Sequence, residues 1–316
     1  MKKRKKGTRT KVLMIVNPRS GTTFRPPFSA RRIAEIFLDN DMEVGVFFTS
    51  PEYNADFLVK EHADEFDIIA CCGGDGTVSE TIKGIMKEGI EKPLGYIPAG
   101  TTNDLARSIG LPTKPVKAAR VIVAGRQRPL DIGSFDDSSF VYIASFGAFT
   151  EVSYATPQKI KNIFGRFAYY LGAMKCMPKI HSHHIRLESD TRKCEGDYIF
   201  GSVTNSTSVA GIFKLDNDMV DFADGKYEVM LIKRPRNIFT AFMILMSMLN
   251  KSYKHENIEL FCASDITITS DEPLDWAVDC EHKRGGKTVH IVNHPQAINM
   301  IMKKKPGKPK NTEGNG

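Results

Sequence analysis

A turn rich in glycine follows a short apolar run near the start of the chain. Residues 68–80 read IIACCGGDGTVSE, and the turn carries Gly74, Asp75, Gly76 and Thr77. Glycines let a backbone approach a ligand and point N–H groups at it. A helix that begins after the turn presents a positive N-terminal end, which suits phosphate. A carboxylate beside phosphates needs a cation between them, so Asp75 predicts a Mg²⁺ site at a phosphate-binding turn.

A purely structural interpretation of this turn stays open. Thr77 and Glu80 fit the T-x-x-E capping box of a helix, and the glycines would then only shape the turn. The run has no G-K-[S/T] and lacks the spacing of the dinucleotide fingerprint. Glycine content alone therefore does not decide between a ligand site and a helix cap.

Two further polar turns follow predicted strands. VNPRSG, residues 16–21, brings Asn17, Arg19 and Ser20, and IPAGTTNDLAR, residues 97–107, brings Gly100 and Thr101. Ligands of open α/β sheets bind at the carboxyl ends of strands. The three turns together therefore predict one nucleotide-phosphate cleft, although Asn103 or Asp104 in the third turn also suits a helix N-cap.

The elements that must position these turns alternate between strand and helix patterns. Strands are predicted at 11–18, 42–50, 67–72 and 93–99, and helices at 28–39, 54–65, 77–88, 103–109 and 115–124. Such alternation indicates a doubly wound α/β domain, a parallel sheet covered on both faces. After Gly125 short β-rich segments indicate an antiparallel β-sandwich or barrel, interrupted by helices near 157–178 and 237–250. We expect a nucleotide-binding α/β domain from residues 1–128 plus 292–316, and a β-sandwich domain from residues 129–291.

The charge of the chain is concentrated at its two ends. Lys and Arg outnumber Asp and Glu by 44 to 37, but residues 1–11 hold seven basic residues and residues 303–316 hold five. Such ends suit an anionic partner such as a membrane surface; alternatively they are solubilising tails. No apolar run reaches the length that spans a bilayer, and six Cys without a C-x-x-C pair fit a reducing cytoplasm without a zinc site.

The motifs NPRSG, GGDGTVSE and PAGTTNDLAR, in this order, resemble those of the diacylglycerol kinase catalytic family. The segment at 152–178 is also similar to one in the second domain of the soluble bacterial members. The resemblance covers about residues 11–300. It implies an α/β domain followed by a β-sandwich, with ATP and Mg²⁺ used to phosphorylate the hydroxyl of diacylglycerol.

The resemblance also implies roles for individual residues. Glu281, in WAVDCEHKRGG, corresponds to the general base of the family's V-D-G-E motif, with Asp279 supporting it and Cys280 at the usual glycine position. Asp75 belongs to the Mg²⁺–phosphate network and, with those two residues, to the catalytic set. In FADGKYEVML, Asp224 and the backbone oxygens of Asp221 and Lys226 would hold a structural Mg²⁺; a plain D-G turn is the alternative. The ATP contacts implied are Asn17, Pro18, Arg19, Ser20, Gly21, Thr49, Gly74, Asp75, Gly76, Thr77, Val78, Ser79, Glu80 and Thr101.

A kinase with a lipid substrate must meet a membrane. We therefore expect a cytoplasmic, peripherally associated protein that binds anionic membranes transiently through its basic ends or through the apolar-basic segment 159–180. No nucleic-acid partner is expected, and an exposed edge strand would allow a homodimer. The alternatives are a kinase of another hydroxyl lipid, an NAD kinase, or a non-catalytic lipid-binding protein.

Overall fold

Four parallel strands form one end of a continuous 15-stranded sheet. The computed structural model describes residues 9–21, 28–148, 181–206, 208–209, 213–214, 221–250, 252–279 and 281–303. The four strands are β1 (Thr10–Val16), β2 (Met42–Phe48), β3 (Ile68–Gly73) and β4 (Leu94–Pro98). Their order is β4-β3-β1-β2, so β2 is the outer strand. Residues 12–16 of β1 are all buried, as expected of a central strand with both faces covered.

Helices cover both faces of these parallel strands. The helices are α1 (Phe28–Leu38), α2 (Ala55–His62), α3 (Asp75–Lys87), α4 (Asp104–Ser108), α5 (Pro115–Ala124) and α6 (Ile238–Leu249), with a short 3₁₀ helix at Ala63–Glu65. α2 and α3 pack in the apolar cluster that contains Leu13 and Ile69, and α1 and α5 pack in the cluster that contains Val12 and Met14. Because successive side chains of β1 point to opposite faces of the sheet, β1 contributes to the apolar layers on both faces.

The rest of the chain is rich in strands. They are β5 (Arg126–Phe135), β6 (Ser138–Phe140), β7 (Ile143–Gly147), β8 (His183–Ser189), β9 (Lys193–Thr204), β10 (Ser208–Val209), β11 (Phe213–Lys214), β12 (Tyr227–Lys233), β13 (Ile258–Ala263), β14 (Asp265–Ser270), β15 (Asp275–Val278), β16 (Glu281–Arg284) and β17 (Thr288–Met302). Neighbouring strands among them pair antiparallel. The predicted combination of an α/β sheet with a large strand-rich portion is confirmed.

The long strand β17 connects the two parts of the sheet. Its first half pairs antiparallel with β14, most of its length pairs antiparallel with β5, and Met300 pairs parallel with Leu94 of β4. Because one strand hydrogen-bonds in both regions, the parallel and antiparallel parts form a single sheet. The turns at the ends of β1, β3 and β4 are therefore connected through one sheet to β7, β15 and β16.

The structure corrects two details of the sequence interpretation. The capping box at Thr77 is wrong, because α3 begins two residues earlier, at Asp75, with Gly74 as its N-cap. The predicted helix at 237–250 is confirmed as α6, with Asn237 as N-cap, whereas the one at 157–178 lies outside the described residues. β13 was not predicted. No helix in the described part of the chain is long and apolar enough to cross a bilayer.

Candidate active site

The three glycine-bearing turns meet at one edge of the sheet. Asn17 Nδ2, after β1, donates a hydrogen bond to Thr77 Oγ1 at 2.9 Å, and the N–H of Gly74, after β3, donates to Ser20 Oγ at 3.2 Å. The turn after β4 is equally close, since a Cβ on Gly100 would lie 2.7 Å from Gly74 Cα. Only glycine fits there without displacing backbone. The structure thus brings together the predicted turns.

The start of α3 is suited to an anion. Its first turn follows Gly74, and within the described residues no side chain caps the helix. Thr77 is the third residue of the helix, and its hydroxyl accepts the bond from Asn17. Gly76, Thr101 and Arg19 are exposed beside this end of the helix. Backbone N–H groups and the helix dipole therefore face the cleft where phosphates were predicted.

Other residues of the predicted ATP set have side chains turned elsewhere. Val78 is fully buried in the core, so only its backbone could meet a nucleotide. Glu80 accepts a hydrogen bond from the N–H of Ala55 at 3.3 Å, which ties α3 to the start of α2. Thr49, after β2, donates its N–H to the carbonyl of Val16 at 2.9 Å, which places it next to the end of β1.

Asp75 joins the second and third turns. Its carboxylate accepts the N–H groups of Asp104 at 3.0 Å and Leu105 at 3.2 Å, and so caps α4. Asn103 is the N-cap residue of α4, as one alternative predicted, but the side-chain hydrogen bonds to the start of the helix come from Asp75. Asn103 has a left-handed φ of 51° and binds the N–H and carbonyl of Gly100 with its side chain.

Asp75 and Asp104 form a pair of partly buried carboxylates. Burial raises the pKa of Asp75, against the lowering effect of the hydrogen bonds from α4. Burial also raises the pKa of Asp104, and the charge of Asp75 adds to this effect. Two close carboxylates repel each other when both are ionised. A divalent cation with oxygen ligands would relieve that repulsion, so this donor set fits Mg²⁺.

Asp279 links α3 to the strand-rich part of the sheet. It is buried, and its oxygens accept Ser79 Oγ at 3.0 Å and the N–H groups of Val141, Tyr142 and Ile143 at 2.7, 3.0 and 3.3 Å. Its backbone is left-handed, with a φ of 47°; Asp is among the few residue types that tolerate this region. Through these four hydrogen bonds Asp279 fixes residues 141–143 against α3.

Glu281 lines a cleft next to Asp279 and its hydrogen-bond partners. The cleft has a volume of about 260 Å³ and is bounded by Ser79, Lys83, Ser138, Ser139, Val278, Asp279, Glu281, His282 and Lys283. Glu281 is exposed and lies near Glu80, whose pKa is raised first by burial and also by the charge of Glu281. An exposed carboxylate at the start of β16, beside α3, can accept a proton from a bound hydroxyl group.

Two lysines in the cleft were not singled out by sequence. Lys283 Nζ donates to the carbonyl of Phe135 at 3.1 Å and to Ser138 Oγ, and it lies 4.5 Å from the centre of the Phe135 ring. Burial lowers the pKa of Lys283, and the charge of Lys83 contributes in the same direction. These contacts span nearly 150 residues, so no local pattern could have shown them.

The predicted structural metal site lies in the turn before β12. Asp221 Oδ1 accepts the N–H of Ala223, and Asp224 Oδ1 accepts that of Lys226, at 3.2 and 3.0 Å. Gly225 has a left-handed φ of 78°, as expected of a D-G turn. Among the described residues, no three His, Cys, Asp or Glu side chains are grouped as metal ligands. A cation here would therefore depend on backbone oxygens, as the resemblance implies.

Two buried carboxylates surround this turn. Asp131 accepts the N–H groups of Gly225 and Gln296, each at 2.7 Å, and so fixes the turn against β17. Glu228 is buried on β12, and its Oε2 has no hydrogen-bond partner in the described structure. Burial, with the charges of Asp224 and Asp221, raises the pKa of Glu228 to about 8. An orphaned buried oxygen beside two carboxylates fits a nearby divalent cation.

Comparisons with known proteins agree on one family. Residues 11–135 match the family model described as diacylglycerol kinase catalytic domain. A diacylglycerol kinase of Bacillus subtilis (strain 168) is 30% identical over 295 residues, which is 92% of this chain and 96% of the relative. One from Staphylococcus carnosus (strain TM300) is 29% identical over 310 residues, covering 96% and 98%.

Solved structures show the same fold. A crystal structure from Bacillus anthracis strain Sterne superposes with a TM-score of 0.78 at 24% identity, covering 94% of this chain and 98% of the other. A second crystal structure, of a diacylglycerol kinase from the same strain, gives a TM-score of 0.71 at 21% identity with the same coverage.

Proposed function

The chain belongs to the diacylglycerol kinase catalytic-domain family, and on this premise we propose that it transfers the γ-phosphoryl group of ATP to the hydroxyl group of diacylglycerol. The product would be phosphatidic acid. The observation that carries the proposal is the meeting of three turns around Gly74 and Asp75, next to the cleft that contains Glu281. The site for ATP, the phosphoryl donor, is thereby next to a base that can act on the hydroxyl group of the acceptor lipid.

The phosphates of ATP would lie against the N-terminal end of α3. The exposed Gly76 lets the phosphates approach the backbone, and the N–H groups and dipole of α3 favour negative charge. Asp75 and Asp104 would hold Mg²⁺ on the phosphate side of the cleft. When bound, Mg²⁺ neutralises charge on the phosphate oxygens. Asn17 and Ser20 fix the geometry of this turn through their bonds to Thr77 and Gly74.

The acceptor would enter from the β16 side. The Glu281 carboxylate takes the proton of the lipid hydroxyl group, and the hydroxyl oxygen attacks the γ-phosphorus in line. The bond from the γ-phosphorus to its bridging oxygen breaks, and ADP leaves. Lys83 and Lys283 line the same cleft, so their ammonium groups would attract the negative charge of the transferring group. Asp279 would hold β15 and β7 so that Glu281 faces α3.

We extend the proposal to the organisation of the chain. Residues 1–128 with 292–316 would form the ATP-binding domain, and residues 129–291 would form the β-sandwich that receives the lipid. Support comes from the change from parallel to antiparallel pairing near β5 and from the return of β17 to β4. The turn at Asp221, Asp224 and Lys226 would hold a second, structural Mg²⁺. The protein would be cytoplasmic, would meet anionic membranes reversibly, and would present β2 as an edge for a homodimer.

The test is transfer of labelled γ-phosphate from Mg·ATP to diacylglycerol in anionic mixed micelles. The wild type is compared with Asp75→Ala and with Asp64→Ala, an exposed aspartate away from the turn. We expect labelled phosphatidic acid from the wild type and Asp64→Ala, and at least a hundredfold less from Asp75→Ala. If another lipid of a total extract is labelled and diacylglycerol is not, the protein is a lipid kinase with a different acceptor. Label in NAD, or in no substrate at all, would overturn the proposal.

A further inference from the structure

The helix α6 has two apolar faces, and only one is covered. Ala241, Ile244, Leu245 and Met248 are buried in the core. The opposite face is exposed, with relative exposures of 48% at Ile238, 69% at Phe239, 39% at Phe242 and 42% at Met243. These four positions follow the spacing of one helical stripe. A continuous stripe of large apolar side chains in water marks a surface that meets an apolar partner.

The charged residues that flank the start of α6 are positive. α6 contains no charged residue, and no acidic side chain neutralises its first turn. Arg234 and Arg236 precede the helix and are exposed, and neither forms an ion pair within the described part of the chain. Lys254 follows it and is also exposed. We call Arg234, Arg236, Ile238, Phe239, Phe242 and Met243 the α6 surface.

Two other exposed apolar side chains lie outside the α6 surface and serve for comparison. Leu38, at the end of α1, and Val46, on the outer strand β2, are 56% and 37% exposed. Between them lie Asp39, Asp41 and Glu43, and no Lys or Arg occurs from residue 38 to 57. Arg9 pairs with Asp41 at 2.8 Å, so part of this acidic charge is neutralised. Leu38 and Val46 are exposed apolar residues outside the α6 surface with acidic residues between them in sequence, which makes them a control for that surface.

The covered face of α6 connects this surface to the catalytic part of the sheet. Ala241, Ile244, Leu245 and Met248 belong to the same apolar cluster as Val141, Tyr142 and Ile143. The N–H groups of those three residues bind Asp279, two positions before Glu281. A partner held at the α6 surface would therefore be held by the same packed unit that positions Glu281.

We propose that the α6 surface docks onto an anionic bilayer interface, with Phe239, Phe242 and Met243 inserted below the phosphate level and Arg234 and Arg236 at the headgroups. This rests on the proposed function, because a kinase of a bilayer lipid must reach its substrate without spanning the membrane. Apolar side chains beside cations are the pattern of interfacial helices. A second copy of the chain would offer no acidic residue from its own α6 to pair with these arginines, whereas anionic headgroups would pair with them.

The first experiment measures binding to vesicles without ATP or diacylglycerol. Phe239→Ser/Met243→Ser is compared with Leu38→Ser/Val46→Ser on neutral phosphatidylcholine vesicles, where the basic chain ends contribute little. We expect the first double variant to lose about tenfold or more in partition coefficient, which equals about 1.4 kcal/mol. The second should bind like the wild type. Equal binding of Phe239→Ser/Met243→Ser and the wild type would overturn the proposal.

The charge component is tested separately with Arg234→Gln/Arg236→Gln. On vesicles containing phosphatidylglycerol we expect about a tenfold loss, since each cation near an anionic surface contributes about 1 kcal/mol. On pure phosphatidylcholine the loss should be much smaller. An equal loss on both vesicle types would contradict headgroup contact. A dimer in light scattering that dissociates only in Phe239→Ser/Met243→Ser would assign the surface to a second copy and overturn membrane docking.

Activity assays separate this proposal from the proposed function. With a short-chain, monomerically dispersed diacylglycerol, Phe239→Ser/Met243→Ser should phosphorylate as fast as the wild type. With long-chain diacylglycerol in vesicles it should be about tenfold slower. A wild type that binds vesicles through α6 but phosphorylates no diacylglycerol would refute the kinase assignment alone. A wild type that phosphorylates diacylglycerol while the variant matches it on both substrates would refute the docking alone.

Discussion

Replacement of Asp279 removes the acceptor of four hydrogen bonds at once. In Asp279→Ala the N–H groups of Val141, Tyr142 and Ile143 and the hydroxyl group of Ser79 lose their partner. Asp279 is buried, so water does not replace it without opening the structure. Ser79→Ala is the matched control, because it removes one of these bonds and leaves the carboxylate with its three backbone donors.

The size of the effect follows from the donors that are left unsatisfied. A buried donor without a partner costs about 1 to 3 kcal/mol. The Ser79 hydroxyl group can rotate to another acceptor, so three backbone N–H groups remain, and partial relaxation leaves an expected loss of about 3 to 5 kcal/mol in Asp279→Ala. Ser79→Ala should lose only about 1 kcal/mol. The first value is a large share of the stability of an ordinary domain.

Urea unfolding followed by circular dichroism measures both variants. We expect the midpoint of Asp279→Ala to fall several times further than that of Ser79→Ala. Asp279→Asn keeps the shape of the side chain but turns one acceptor into a donor. Its unfolding midpoint should lie between those of the other two variants. The contrary result is a loss of less than about 1 kcal/mol in the free energy of unfolding of Asp279→Ala, no larger than that of Ser79→Ala. The hydrogen bonds of Asp279 would then not hold α3 to the strand-rich part of the sheet.

Two further predictions concern the turns, and a third concerns Glu228 on β12. Asp75→Asn should lower phosphoryl transfer by about a hundredfold or more, because a neutral amide no longer holds a cation; steady-state kinetics over a range of Mg²⁺ concentrations tests this, and unchanged turnover would contradict it. Gly100→Ala should cost about 1 to 3 kcal/mol in urea unfolding, because its Cβ would lie 2.7 Å from Gly74 Cα; a silent change would show that the turns are not in contact. The folded-state pKa of Glu228, about 8 against an ordinary 4.5, favours the neutral acid. The contribution of Glu228 to stability is fully present below pH 4.5 and is lost as the pH rises through about 8. This loss amounts to about 3 to 5 kcal/mol in the free energy of unfolding. Without Mg²⁺, Glu228→Gln should abolish this loss between pH 5 and pH 8.5 in urea unfolding, and an identical pH dependence in both proteins would refute the burial argument.

The sequence predicted the parallel part of the sheet well because its signals are local. Apolar runs of five to seven residues end in turns with Gly, Pro or Asn, as at Gly73 and Pro98. The start of α3 was misplaced because Thr77 fits a capping box. Its hydroxyl group instead accepts a bond from Asn17, sixty residues earlier. A competing partner at that distance is invisible to a local pattern.

The resemblance pointed to Glu281 and Asp279, but the sequence did not show how they are held. Ser79 and Asp279 are 200 residues apart, and Lys283 reaches Ser138 across 145. Such contacts depend on the register of β7, β15 and β16. Likewise α6 was predicted as a helix, but periodicity could not separate its covered face from its exposed face, because every residue from Phe242 to Met246 is apolar.

The most direct test of the proposed chemistry is the kinetics of Glu281→Gln. The account predicts that its turnover on diacylglycerol falls by about a hundredfold or more, the usual contribution of a general base, while the dissociation constant of ATP stays within a factor of about two. Glu281→Asp, which keeps the carboxylate, should retain more activity than Glu281→Gln. Turnover of Glu281→Gln equal to that of the wild type would contradict the assignment of this cleft as the site where the lipid hydroxyl group is deprotonated.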